Sequence, residues 1–454
     1  MLFRKFSTYL EHWKIAEKKP ALLVEGARQI GKTTLIRDFA QKHYEHFAEI
    51  NFITSPSAKT IFDGNLDAET LISKLTAFLR KPLPPRRTLI FFDEVQECPR
   101  IRTAIKFLVE DGRFDYIESG SLLGINYQNV PSYAVGFEEI QTMYPMDFEE
   151  FAIANGVQPE TFALLKKSYE SRTEVDQTIH EMMQNLFTEY LIVGGMPAAV
   201  QTYVTTRDIH EVVRIQTAIL KLYRLDIQKY SRNNKAKITT IFNQMPAELN
   251  SKNKRFMLSD LTKTARMNRY ESCFNWLTDA GVALPCYNLR DLKHPLEINR
   301  QRNLFKYFLC DTGLLCALCS NDIQFQIISG NYRVNEGSIL ENIFAQQLVA
   351  NGFPLYYYGK KLVGEIDFIV ERQAEIILVE IKSGEDYDKH KALDNVLDQK
   401  DTEVSQAIVF CKGNIHRKGA ITYLPHYLVM FFQNEHLLDA ATEKLRALTN
   451  RKEH

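Results

Sequence analysis

Between the apolar run Ala21-Leu22-Leu23-Val24-Glu25 and a helix-like stretch stands Gly26-Ala27-Arg28-Gln29-Ile30-Gly31-Lys32-Thr33, a G-x-x-x-x-G-K-[ST] pattern followed by Thr34. The pattern calls for a strand that ends in a tight glycine loop and a helix that begins at once. The glycines let the backbone curl until successive N–H groups face one point, and the new helix adds its positive end. A phosphate fits there, with Lys32 placed for β- and γ-phosphate oxygens and the Thr33 hydroxyl for Mg²⁺. The alternative is a glycine turn that binds nothing, and the strand–helix context argues against it.

The residues around this loop repeat the strand–helix alternation. A strand near Ala48–Phe52, a helix from about Asp67 to Arg80, the run TLIFFDE, the helix IRTAIKFLVED and the strand DYIESGS follow in order. Such alternation predicts an α/β fold with a parallel sheet covered on both faces. TLIFFDE ends in Asp93 and Glu94, where open α/β sheets bind ligands. Asp93 is expected to hold Mg²⁺ through water and Glu94 to polarise the attacking water as general base, which makes ATP and Mg²⁺ the expected cofactors. Ser119 and Ser121 are either γ-phosphate sensors or ordinary turn serines. From Phe114 to Leu165 there is no Lys, Arg or His. Any arginine that neutralises the transferring phosphate must therefore come from elsewhere, such as Arg100, Arg102, Arg224 or another subunit.

Composition narrows the class further. The 454 residues carry 56 Lys+Arg and 56 Asp+Glu, so no bulk field draws the molecule to nucleic acid or a membrane. No run approaches the ~18 apolar residues of a membrane span. The start does not read as a secretory signal, and the seven cysteines suit reduced thiols, so a soluble cytoplasmic protein is expected. Cys310, Cys316 and Cys319 read as packing in an apolar helix rather than a zinc site.

Beyond Pro145 the pattern becomes helical, from about Phe148 to Gln244, with breaks at Gly194-Gly195 and near Ser231–Asn234. Residues of about 238–287 read as short helices followed by two strands, the outline of a winged helix, with Asn268 and Glu271 spaced as a capping box. Six basic residues (Lys252, Lys254, Arg255, Lys263, Arg266, Arg269) stand there against one acid, Asp260. They suit DNA phosphates, or equally a solvated face or packing against the chain's own ATPase domain. The tail from about Asn335 reads as helix, three strands, helix, strand. It carries Glu365-Ile366-Asp367 and Glu380-Ile381-Lys382, with Glu341 on the preceding helix. Alternation puts Glu380 and Lys382 on one strand face. Asp367 and Glu380 could grip Mg²⁺ and Lys382 could activate a water against a phosphodiester, the alternative being a salt-bridged surface strand.

GARQIGKTT, IFFDEVQ, YPMDFEEF, YLIVGGMP, DIQKYS, FKYFLCDTGLL and EIDFIV…VEIKSG together resemble a group of prokaryotic AAA-like P-loop ATPases. Their C-terminal domain, of unassigned function, looks like a restriction-endonuclease fold of the PD-(D/E)XK type. The resemblance covers nearly the whole chain. It implies an AAA-like domain over 1–147, a helical region with a winged helix over 148–290, and linker helices with a nuclease-like domain over 291–454. It implies ATP hydrolysis at Gly26–Thr33, Asp93 and Glu94, and nuclease-type metal ligands at Asp367 and Glu380, with Lys382 beside them and Glu341 as a further ligand. Relatives often carry a basic residue after Gly136, where this chain has Phe137. Three readings stay open: an ATPase coupled to a Mg²⁺-dependent DNA nuclease, an ATP-operated regulator whose nuclease-like domain binds DNA without cutting, or an ATPase that remodels protein partners with the C-terminal domain as an adaptor. Association into a homo-oligomer is left open, and no membrane partner is expected.

Overall fold

The computed structural model describes residues 2–121, 136–231, 234–251, 254–261, 266–319, 336–399 and 401–434, together with 324 and 327. Its first sheet contains β1 (Ala21–Glu25), β2 (His46–Asn51), β3 (Thr88–Asp93), β4 (Asp115–Ser119) and β5 (Glu138–Thr142). All pairings are parallel, in the order β2-β3-β4-β1-β5. The period-two alternation of the strands explains the burial. Leu22, Val24, Leu89, Phe91 and Ile117 enter one apolar core, whereas Ala21, Leu23, Ile90, Phe92 and Tyr116 enter another on the opposite face. The parallel sheet covered on both faces is thus as expected.

The helices Phe148–Ala154, Pro159–Ser171, Gln177–Val193, Pro197–Thr206, Ile209–Tyr230 and Lys235–Leu249 follow. The break at Gly194-Gly195 has a steric cause. Gly195 donates its N–H to the buried Asp311 carboxylate at 2.5 Å, and Leu314 N–H reaches the same group at 2.9 Å. A Cβ on Gly195 would lie 2.0 Å from the Met146 carbonyl oxygen, and one on Gly194 would lie 2.4 Å from Asp311. The motifs YPMDFEEF, YLIVGGMP and FKYFLCDTGLL therefore meet at one close-packed point.

The second sheet contains β6 (Ala283–Leu289), β7 (Arg300–Leu309), β8 (Tyr356–Lys360), β9 (Gly364–Arg372), β10 (Glu375–Ile381), β11 (Val404–Cys411), β12 (His416–Lys418) and β13 (Ile421–Pro425). Its order is β12-β13-β11-β10-β9-β8-β6-β7, with parallel and antiparallel pairs mixed. β6 falls mostly within the wing expected over about 238–287, but residues 300–309, expected among linker helices, form β7, and the β6–β7 hairpin is continuous with the C-terminal sheet. The boundary expected at 290 falls inside that hairpin.

Before the hairpin lie a short helix Leu258–Leu261, a 3-10 turn Met267–Arg269 and the helix Glu271–Asp279. The Asn268–Glu271 capping box does not form. The 3-10 turn takes up Asn268, and Tyr270 precedes the helix without a side-chain cap. Lys252 and Lys263 lie outside the described residues. Cys310 and Cys316 are buried, Cys319 is exposed, and the described cysteines are free thiols. Among the described residues, no helix is long and apolar enough to cross a membrane.

The tight contact at Gly195 has a measurable consequence. Gly195→Ala should lower stability by about 1–3 kcal/mol through overpacking. Gly64→Ala, at φ +81° with open space around it, should cost about 1 kcal/mol from backbone strain alone. Chemical denaturation of both variants checks the difference.

Candidate functional site

β1 runs directly into the glycine loop. Gly26 has φ +135° and Gly31 φ +90°, both in the region that disfavours a Cβ. A Cβ on Gly26 would sit 2.2 Å from the Met143 carbonyl oxygen, so the loop's first turn has no room for a side chain. The helix Lys32–His43 starts at the second glycine. Thr33 and Asp93 meet here, their side-chain oxygens 3.1 and 3.3 Å apart.

Strand register explains the surroundings of Asp93. Asn51 ends β2 opposite Asp93, and Ser119 ends β4 opposite it on the other side. Asn51 Nδ2 donates to Asp93 at 2.9 Å, and the Ser119 hydroxyl also donates to Asp93. Ser119, a candidate phosphate sensor by sequence, is thus engaged with Asp93. Glu94 follows in the left-handed region at φ +58°, which is costly for a residue with a Cβ and often found at working sites. Gln96 Nε2 donates to its carboxylate. A cavity of about 300 Å³ opens here, lined by the glycine loop, Asp93, Glu94, Ser119 and Ser121.

Lys32 is almost fully buried, and its ammonium donates to the carbonyl oxygens of Gly26 at 2.9 Å and Ala27 at 2.8 Å. Burial pushes its pKa down to about 8, against the opposing pull of Glu94 and Asp93. The Thr33–Asp93 donor set is all oxygen, as Mg²⁺ requires. Thr33 and Asp93 would hold that ion, which would offset charge on the phosphate oxygens.

Other contacts at the loop come from far along the chain. Arg4 Nη1 donates to the Ile30 carbonyl at 2.7 Å. Tyr223 and Asp226, on the helix Ile209–Tyr230, hold the main chain and side chain of Arg28. Neither tyrosine nor aspartate carries a local signal, although Asp226 opens the motif DIQKYS. Arg100 pairs with Asp63 at 2.9 Å, Arg102 pairs with Glu138, and Arg224 bonds Asn243 at 3.1 Å.

In the second sheet, Val379 pairs with Phe368 across β10 and β9, and the next step brings Glu380 beside Asp367. Asp367 accepts the Ile381 N–H at 2.9 Å, and Lys382 Nζ donates to Glu380 Oε1 at 2.8 Å. Glu380 Oε2 is buried without a hydrogen-bond partner. Burial, with Glu380 and Glu341 nearby, raises the Asp367 pKa well above the usual carboxylate range. Burial raises that of Glu380, with Lys382 opposing.

Glu341 is placed differently from the sequence expectation. Lys306, fully buried, donates to Glu341 at 3.0 Å and pairs with Glu365 at 2.8 Å, and Lys254 pairs with the other Glu341 oxygen. Burial opposes ionisation of Glu341, but Lys306 and Lys254 hold its pKa below the usual range. Both Glu341 oxygens thus face ammonium groups, which does not fit a metal ligand. Among the described residues, no three His, Cys, Asp or Glu side chains converge as a metal-binding group. Arg255 lies over the Tyr357 ring at 5.8 Å, whereas Arg266 and Arg269 are exposed. Two of the six basic residues therefore face the C-terminal domain itself.

Residues 18–152 match the family described as AAA domain. Residues 184–324 and 336–427 match two domains of unknown function, DUF8612 and DUF4143. No curated protein matches. Among solved structures, the chain is similar to a Walker-type ATPase of Pyrococcus abyssi, at 13% identity and TM-score 0.41, covering 70% of this chain and 96% of that one. The RuvB Holliday junction branch migration motor of Thermotoga maritima is 13% identical with TM-score 0.29, covering 62% and 89%. The Orc1 protein of Aeropyrum pernix, solved in complex with DNA, is 12% identical with TM-score 0.24, covering 71% and 92%. Over residues 18–152 the chain is thus similar to AAA domains.

The lowered Lys32 pKa sets a pH dependence. A phosphate favours the charged ammonium, so ATP affinity should be highest below about pH 8 and fall as pH rises through that value. Titrations from about pH 7 to about pH 10 check it. Lys32→Arg, whose guanidinium stays charged, should lose this dependence even if affinity drops.

Proposed function

We propose that the chain binds and hydrolyses ATP at the Gly26–Thr34 loop, with Asp93 and Thr33 on Mg²⁺ and Glu94 as general base. The convergence of Thr33, Asp93 and Glu94 beside the buried Lys32 carries this reading. Water attacks the γ-phosphorus, the bond to the bridging oxygen breaks, and ADP leaves with inorganic phosphate. Glu94 takes the proton from the water, and Lys32 offsets charge on the phosphate oxygens. Lys32→Ala should abolish measurable nucleotide affinity. Glu94→Gln should keep binding while slowing hydrolysis by about 100-fold or more. Undiminished turnover in Glu94→Gln would show that another group is the base.

For the C-terminal domain, Asp367, Glu380 and Lys382 support a nuclease-type site, in which the two carboxylates would hold Mg²⁺ and Lys382 would orient the attacking water. DNA is the proposed substrate, and the winged-helix outline with exposed Arg266 and Arg269 offers phosphate contacts. A second reading, DNA binding without cleavage, is favoured by Lys254 and Lys306, which neutralise Glu341 from within. Incubation of DNA with the protein, Mg²⁺ and ATP separates them. Cutting that Asp367→Ala abolishes supports the nuclease. Salt-dependent binding without cutting, unaffected by Lys382→Ala, supports the regulator.

A further inference from the structure

Of the residues lining the phosphate cavity, two are cations, Lys32 and Arg28. Lys32 is accounted for by the loop pattern, whereas Arg28 is the third residue of the loop and has no role in that pattern. Its guanidinium is held by two groups. Nε donates to Ser121 Oγ at 3.0 Å, and Nη1 donates to Asp226 Oδ1 at 2.7 Å. The remaining amino group, Nη2, has no partner among the described residues. The main chain is fixed as well, since Tyr223 OH donates to the Arg28 carbonyl at 3.2 Å.

Tyr223 and Asp226 are three residues apart, hence neighbours on one helix face. The same helix reaches the 3-10 turn Val95–Glu97 that follows Asp93 and Glu94: Tyr230 OH donates to Glu97 at 3.1 Å and Lys229 lies 3.7 Å from it. Helix Ile209–Tyr230 thus braces both halves of the phosphate site. Asp226 is buried beside Glu94 charge, so burial raises its pKa and Arg28 opposes the rise. A further carboxylate beside Asp93 and Glu94 would by itself only repel a triphosphate. Paired with Arg28, it instead fixes a guanidinium that lines the cavity and keeps one amino group unengaged. Arg100, Arg102 and Arg224 are committed to Asp63, Glu138 and Asn243.

We infer that Arg28 is the arginine that contacts the γ-phosphate and offsets its charge during transfer, and that Asp226 is its positioning residue. The inference rests on the ATPase reading. No second subunit is then needed to supply this cation, which the stretch from Phe114 to Leu165 lacks.

The test measures ATP and ADP affinity and steady-state turnover for the full chain and for Arg28→Ala, Asp226→Asn and the double variant. Arg28→Ala should keep ADP affinity, shrink the preference for ATP over ADP about tenfold, and lower kcat about 100-fold. Asp226→Asn should move the same two readouts in the same direction, and should add nothing in the Arg28→Ala background. A merely structural aspartate would instead weaken ADP binding too, and would act in both backgrounds. Wild-type protein that binds neither nucleotide overturns the ATPase reading itself. Nucleotide binding with an Arg28→Ala variant unchanged in ATP preference and kcat overturns this inference alone.

Discussion

Asp93 is a nearly buried carboxylate, 4% exposed, at the tip of a strand with apolar neighbours on both sheet faces. A charge in such a place is costly unless polar groups surround it. Here the partners are the ends of the two flanking strands, Asn51 and Ser119, and the first turn of the phosphate-loop helix, Thr33. Each depends on strand register. A one-residue slip in β2 or β4 would turn Asn51 or Ser119 to the opposite face and deprive the carboxylate of that partner. The parallel sheet, the loop and the cation site therefore stand or fall together.

The outer parts of the chain are fastened to this centre rather than strung beside it. One continuous apolar core holds Leu22 and Val24 of β1, Tyr190 and Tyr223 of the helical region, Phe344 of the helix Glu336–Ala350, and Phe410 of β11. Polar contacts cross the same boundaries: Arg4 to the loop, Gly195 to Asp311, Lys254 and Lys306 to Glu341. The charge of the C-terminal carboxylates is thus partly balanced by residues that the chain supplies before β8.

What could be read in advance was local. Gly26–Thr33, the Asp93–Glu94 pair and the strand alternation lie in short windows, and each window fixes its own geometry. Asp226 lies 198 residues from Arg28, and Lys306 lies 35 from Glu341, so no spacing rule links them. The same limit explains the hairpin. β6 read as part of a wing because GVALPCYNL lies in one short window, whereas its pairing with β7, in a stretch expected to be helical, and with β8 through Tyr287–Tyr356 and Asn288–Tyr357 depends on residues farther along the chain. The cap expected at Asn268 failed because a 3-10 turn competes for the same residues.

The two margins of the eight-stranded sheet differ from its interior. β12 is three residues long and contains Arg417 and Lys418, and the exposed half of β7 begins with Arg300, Gln301 and Arg302. The apolar half of β7, Phe305 to Leu309, is covered by buried neighbours. An unpaired backbone ladder invites a strand from another molecule, but short length and like charges at both borders oppose such stacking. The rim of this sheet is therefore built to discourage growth by added strands, while its interior strands remain apolar.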